Sequence, residues 1–310
     1  MTPYILVIGS SNTDLVIKAD RLPAPGETIL GGTFLMNAGG KGANQAVAAA
    51  RLGGNVTFIV KTGNDIFGKQ SIQSLNGAGI NTRYVISDPY NPSGVALITV
   101  DKNGENCIVV ASGANAALKP ADLQKVEQVI SGAALILMQL EIPIETVEYV
   151  IEQAAARGIP VTLNPAPASQ LKDEMLKKVS IITPNETEAE MLSGVSITDA
   201  KSAEAAARAL AAKGIETVII TLGDQGALLL KDDECRFFSA PACEAIDTTA
   251  AGDVFSGALA VAIFEGKTMP EAIPFACQAA ALSVCKMGAQ NSAPYRDELN
   301  RALKAGMDLD

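Results

Sequence analysis

Short apolar runs separated by stretches of helical periodicity recur through most of this chain, and that alternation leaves it few architectures. The pattern predicts strands over 4–8, 56–60, 135–138, 161–163, 181–182 and 217–221, with helices over 43–52, 120–131, 144–157, 187–192 and 200–213. Strict alternation of strand and helix implies a mostly parallel sheet covered on both faces, a three-layer Rossmann-like α/β fold. Ligands in such sheets bind beyond the carboxyl ends of the strands. Two stretches depart from the pattern. Residues 14–35 read as extended, punctuated by Pro23, Pro25 and Gly26, and residues 94–100 and 106–110 read as a hairpin turning at Asn103-Gly104. A small sheet inserted into the α/β domain, over about 14–36 and 92–112, accounts for both. One of its faces would stay apolar and open unless it closed over a ligand or a second subunit. The expectation is therefore a lid and a homodimer formed through it, against the simpler case of a sheet packed on the main domain. At 310 residues the chain exceeds the usual single core, and one domain over 1–310 carrying this elaboration is expected.

Composition removes several functions. The net charge of −10 argues against nucleic acid or an anionic membrane as the main partner. No apolar run is long enough to span a bilayer, and the N-terminal segment has no basic region ahead of its first apolar run, so a cytoplasmic location is expected. Cys107, Cys235, Cys243, Cys277 and Cys285 form no CxxC pair, and their odd number suggests reduced thiols. With no histidine in the chain, Ser-His and Cys-His nucleophiles, His-ligated zinc and His bases are excluded. Carboxylates, backbone amides, lysine and oxygen-bound metals remain, an inventory that suits phosphoryl transfer.

The candidate chemistry is spread over several segments. Asp247-Thr248-Thr249-Ala250-Ala251-Gly252-Asp253 precedes an apolar helix, so unpaired backbone amides of its small residues form a candidate anion hole with Asp253 in the same first turn. Asp253 either accepts a proton there or only complements the helix dipole. Gly39-Gly40-Lys41-Gly42-Ala43-Asn44 is neither a Walker A nor a dinucleotide fingerprint. Its glycines permit close approach to a polyol, Asn44 can serve hydroxyls, and Lys41 can reach a phosphate. Asn12-Thr13-Asp14 stands after the first strand and either holds a sugar or forms a turn. Glu141 follows a strand and is a further carboxylate or a cap. Asn185 and Glu188 begin a helix as a capping box, an arrangement that can also order hydrated Mg²⁺ and phosphate. Thr221-Leu222-Gly223-Asp224-Gln225-Gly226 is a turn against which a nucleotide could lie.

The order of these segments, from Gly9 to about Pro294, closely resembles the ribokinase family of carbohydrate kinases. Gly39 to Gln45, Met138-Gln139-Leu140-Glu141, Asn164-Pro165-Ala166-Pro167 and Gly288-Ala289-Gln290 carry the likeness to its ribose-specific members. The resemblance implies ATP-dependent phosphorylation of the D-ribose 5-hydroxyl, with Asp253 as base and Ala250, Ala251 and Gly252 as anion hole. It implies a sugar site of Asn12, Asp14, Gly40, Lys41, Gly42, Ala43, Asn44 and Glu141, to which Thr13 is added as the middle of its motif. Nucleotide contacts would come from Asn185, the turn from Thr221 to Gly226, Gly252, Asp253 and Cys277. Activation by K⁺ is implied as well, held by Asp247, Thr249, Ser283, Lys286, Gly288 and Ser292. Cys277 and Ser256 depart from the family pattern, where a longer polar or imidazole side chain and an asparagine are usual. Other expectations from the same fold are a kinase of fructose, a keto-deoxy sugar acid or a nucleoside, and from another class a non-catalytic sugar-binding regulator.

Overall fold

The first strand shows how the core is divided. β1 (Ile5–Ile8) is completely buried. Ile5 and Val7 join an apolar cluster on one side of the sheet, while Leu6 and Ile8 join another on the opposite side. Period-two alternation requires this of a strand covered on both faces.

The computed structural model describes residues 2–307. After β1 the chain forms β2 (Asn12–Lys18) and β3 (Thr33–Gly39), then α1 (Lys41–Arg51). Next come β4 (Val56–Ile59), β5 (Lys61–Gly63), α2 (Ile66–Gly77) and β6 (Ile86–Asp88), then the hairpin β7 (Gly94–Val100) and β8 (Asn106–Ala111). The helix expected over 120–131 is instead α3 (Pro120–Gln124) and α4 (Glu127–Ser131), because Val126 leaves helical backbone at φ −127° and ψ 25°. The chain continues through β9 (Leu135–Met138), α5 (Ile144–Ala155), β10 (Val161–Leu163), α6 (Asp173–Leu176), β11 (Ile181–Ile182), α7 (Glu186–Ser193) and α8 (Ala200–Ala212). It ends with β12 (Thr217–Thr221), β13 (Ala227–Lys231), β14 (Glu234–Phe238), α9 (Ala251–Phe264), α10 (Met269–Val284), α11 (Ala289–Ser292) and α12 (Arg296–Met307).

Eight strands form the main sheet in the order β14-β13-β12-β11-β10-β9-β1-β4. It is parallel from β4 to β12, and β13 and β14 add an antiparallel edge. The ends of β1, β9, β11 and β12 thus bring Asn12, Glu141, Asn185 and Thr221 to one edge.

A separate sheet in the order β3-β2-β7-β8 arises from the two departing stretches. Its hairpin pairs Val100 with Asn106 across Asn103-Gly104. Asp14, Val16, Lys18, Leu35, Asn37 and Ile98 line a cleft of about 1380 Å³, closed on the other side by Asp247, Thr248, Thr249 and Gly288. Alternation turns the intervening residues outward, and Ile17, Phe34, Met36, Leu97 and Val109 are exposed there.

Helices α9 and α10 are apolar around most of their circumference because both are buried. α9 crosses α1 at close range where Gly257 sits. A Cβ at Gly257 would stand 2.7 Å from the Gln45 carbonyl oxygen and 2.9 Å from Ala48 Cβ. That crossing places the start of α1 beside the first turn of α9.

Candidate active site

Asp253 lies in the first turn of α9 and is 5% exposed. Its Oδ2 accepts from Asn44 Nδ2 at 2.9 Å and its Oδ1 from Gln45 Nε2 at 3.0 Å. Burial pushes its pKa up, as does Glu141, while Lys41 and the two amide donors work the other way, and the net shift is upward. A carboxylate held this way is a stronger proton acceptor than one in water.

The N-terminus of α9 has no side-chain cap, and Ala250 occupies left-handed backbone at φ 63° and ψ 13°. Of the three amides expected to line an anion hole, that of Ala251 donates to Thr248 O at 3.2 Å. The amides of Gly252 and Asp253 precede the first intrahelical bond, from Val254 N to Ala250 O at 2.9 Å. Apart from its own helix and chain neighbours, nothing lies within 4 Å of the position a Gly252 Cβ would take, so the first turn of α9 is open on that side.

On the sugar side, Asp14 rests against Gly39, where any Cβ would stand 2.2 Å from the carboxylate. Burial, then the charge of Glu141, pushes the Asp14 pKa up to about 6. Glu141 Oε2 accepts from Ser10 Oγ at 2.5 Å and from Lys41 N at 3.0 Å, tying the end of β9 to the start of α1. Gly40 and Gly42 pack on backbone of the segment Gly9 to Asn12, and the Ala43 amide donates to Ser10 O at 2.8 Å. Asn12 Oδ1 accepts from Asn115 Nδ2 at 2.8 Å, and Asn115 also bonds both backbone groups of Ser11. Among the described residues Asn44 Oδ1 is buried without a hydrogen-bond partner. Thr13, as the odd member of β2, takes the sheet face opposite Asp14.

On the nucleotide side, Asn185 and Glu188 form a reciprocal cap, with Asn185 N to Glu188 Oε2 at 2.9 Å and Glu188 N to Asn185 Oδ1 at 2.8 Å. Burial raises the Glu188 pKa against the Asn185 bond and Lys41, and the Asp253 charge adds to the rise. Asn185 bridges to Thr221, which opens the turn through Leu222, Gly223, Asp224 and Gln225. Gly226 has its own structural reason: at φ 108°, a Cβ would meet Phe238 O at 2.0 Å. Cys277 is buried in the core cluster beside α9, and burial pushes its thiol up to about 11.

The loop at Asp247 is stitched to the end of α10. Ile246 N and Asp247 N donate to Val284 O at 2.7 and 3.1 Å, Gly288 N to Asp247 Oδ2 at 2.8 Å, and Thr249 N to Asp247 Oδ1 at 2.9 Å. Burial opposes ionisation of Asp247, yet the donors from Thr249 and Gly288 outweigh it and hold the pKa low. The hydroxyls of Ser283 and Ser292 donate to Ala280 O and Ala289 O, leaving oxygen lone pairs. Lys286 pairs with Glu298 at 2.9 Å. A carboxylate with hydroxyl and carbonyl oxygens suits a large monovalent ion. Among the described residues no three His, Cys, Asp or Glu side chains converge as a cage for a metal. Glu188, in the reciprocal cap with Asn185, is a carboxylate that could meet a divalent ion on nucleotide phosphates.

Gln45, Gln139, Asn164, Ser10 and Asn115 are site residues to which no role was attached from sequence. Three of them stood inside quoted motifs, but only the folded contacts show what they hold.

A buried carboxylate base beside open helix-terminal amides, on the carboxyl edge of a parallel sheet, is equipment for moving a phosphoryl group onto a hydroxyl. Residues 2–296 match the pfkB family of carbohydrate kinases, and the chain belongs to that family. Within it, a ribokinase of Haemophilus influenzae is 46% identical over 298 residues, 96% of this chain and 97% of that protein. A deoxyribokinase of Salmonella typhi is 40% identical over 96% of this chain and 98% of its own length. The structure of an Arabidopsis thaliana ribokinase complexed with ribose and ATP superposes with a TM-score of 0.93 at 34% identity, covering 98% of this chain and 99% of the other.

Proposed function

We propose that this chain transfers the γ-phosphoryl group of ATP to the 5-hydroxyl of D-ribose, giving ribose 5-phosphate and ADP. The observation that carries the reading is Asp253, held by two amide donors in the first turn of an uncapped helix. Asp253 takes the hydroxyl proton, and the amides of Gly252 and Asp253, ahead of the first intrahelical bond, receive the charge that builds on the transferring group. Asn12, Asp14, Gly40, Lys41, Gly42, Ala43, Asn44 and Glu141 hold the sugar, with the unpartnered Asn44 Oδ1 accepting from one hydroxyl. Asn185, the turn from Thr221 to Gly226, and Cys277 hold the nucleotide. Mg²⁺, when bound, supplies charge neutralisation on the phosphates. K⁺, held by Asp247, Thr249 and oxygens of Ser283, Lys286, Gly288 and Ser292, clamps the loop that leads into α9.

The small sheet acts as a lid over the sugar, and its outer apolar face joins a second copy into a homodimer. Among the described residues no helix is long and apolar enough to cross a membrane. The five cysteines are free, which suits a reducing cytoplasm.

The deoxyribokinase relative favours one second reading, that 2-deoxyribose is the preferred sugar. ADP release measured with ribose, 2-deoxyribose and fructose separates the two. A site with a buried carboxylate and amide loses affinity when the hydroxyl they serve is missing, so ribose is expected to have the highest kcat/KM. Equal values for ribose and fructose would remove the ribose reading, and a higher value for 2-deoxyribose would replace it.

A further inference from the structure

We propose that Gln45 is a positioning residue for the reaction: its side-chain amide fixes the plane of the Asp253 carboxylate. Its own orientation is inherited, through Asn164, from a backbone carbonyl at the end of β11. The inference rests on Asp253 being the base.

The wiring begins at Thr183 O, which can only accept. Asn164 therefore turns Nδ2 toward it, at 3.0 Å, and aims Oδ1 the other way. That oxygen needs a donor and receives Gln45 Nε2 at 3.1 Å. The second proton on the same nitrogen goes to Asp253 Oδ1 at 3.0 Å. Gln45 Oε1 is thereby turned toward Gln139 Nε2, which donates to it at 2.5 Å. An amide seen through its heavy atoms alone has two interchangeable ends, but the chain of demands from Thr183 removes the choice. A flipped Gln45 would set its oxygen against the oxygens of both Asn164 and Asp253. Gln45 and Gln139 are fully buried, so no solvent competes for these bonds.

Both ends of the Gln45 amide are thus occupied, and the carboxylate it holds cannot rotate without breaking two of its bonds. Asn44 holds the other oxygen from the adjacent position on α1, leaving the remaining lone pairs of Asp253 for the substrate proton. The charged groups acting on Asp253 are Lys41 from α1, Glu141 from the end of β9 and Glu188 from α7. Lys41 favours the ionised base and the two glutamates oppose it. Gln45 and Asn44 add neutral donors to the favourable side, and they do so with fixed direction.

The test is Gln45→Met, which keeps length and bulk and removes the N–H. It is expected to lower kcat by about 10- to 100-fold with the KM values for ribose and ATP within about threefold. The acid limb of the kcat profile is expected to move up by about one pH unit. Loss of packing alone lowers stability and leaves that limb in place, so a parental limb overturns the proposal. Should Gln45→Met fail to fold, Asn164→Ser decides, because it removes the amide that orients Gln45 and leaves Gln45 intact. It is expected to move the limb in the same direction, and an unmoved limb overturns the proposal equally. Asp253→Asn assayed alongside isolates the underlying reading. A fall in kcat of about 10²- to 10⁴-fold keeps Asp253 as the base, whereas an active Asp253→Asn removes the base and the positioning role together.

Discussion

Asp14 illustrates how one residue sets function against stability. Its pKa of about 6, raised from 3.8 by burial and by Glu141, means the folded protein holds that proton more tightly than the unfolded chain. The penalty is absent below about pH 4, grows as pH rises toward 6, and is complete above it, where it reaches at most about 3 kcal/mol. Asp14→Asn removes the charge, so its urea midpoint is expected to exceed the parent's at pH 8 and to match it at pH 4, while the KM for sugar rises. Equal midpoint differences at the two pH values would show that the carboxylate is not under this strain. Asp14, Asn44 and Asp253 were legible because each sits in a short motif with its own chemistry. The Gln45 bonds were not, since its partners lie 94, 119 and 208 residues away and no local spacing points to them. Thr13 stands on the face of β2 opposite Asp14, a separation that adjacency within a motif does not reveal where a strand alternates.

Between elements, the decisive contact is the crossing of α1 and α9. Gly257→Ala would push a methyl group toward Gln45 O and Ala48, and backbone cannot yield as a side-chain tip does. We expect a stability loss of about 1–3 kcal/mol and a fall in kcat larger than any change in KM, because Asn44 and Gln45 move away from Asp253 together. A kcat within twofold of the parent in a folded Gly257→Ala would show that the crossing has slack. A second junction joins the Asp247 loop to the end of α10. Activity is expected to fall in K⁺-free buffer, to recover on titration with K⁺, and to lose that response in Asp247→Ala. Identical rates in K⁺, Na⁺ and a bulky organic cation would show that the hydrogen bonds to Val284 and Gly288 hold the loop by themselves. The alternating strands and helices were visible from apolar periodicity. α10 was not, because a helix buried on most sides shows no polar face and this one carries Pro270 and Pro274. β13 and β14 broke the expected alternation by pairing as a hairpin beyond β12.

For the whole molecule, the outer face of the small sheet predicts assembly. Leu97 is 56% exposed at the centre of that face, so Leu97→Asp is expected to leave the fold intact and to shift sedimentation from dimer to monomer. A parent that sediments as a monomer would show that the apolar face serves no second copy. The two faces of this sheet also constrain how the sequence can change over time. Substitutions can alter one face and spare the other, but inserting or deleting a single residue within β2 exchanges Asp14 and Val16 for Leu15 and Ile17 across the sheet. Length variation in the family should accordingly collect in the loop between β2 and β3 and at the Asn103-Gly104 turn, where register is indifferent, while the strands drift only by replacement.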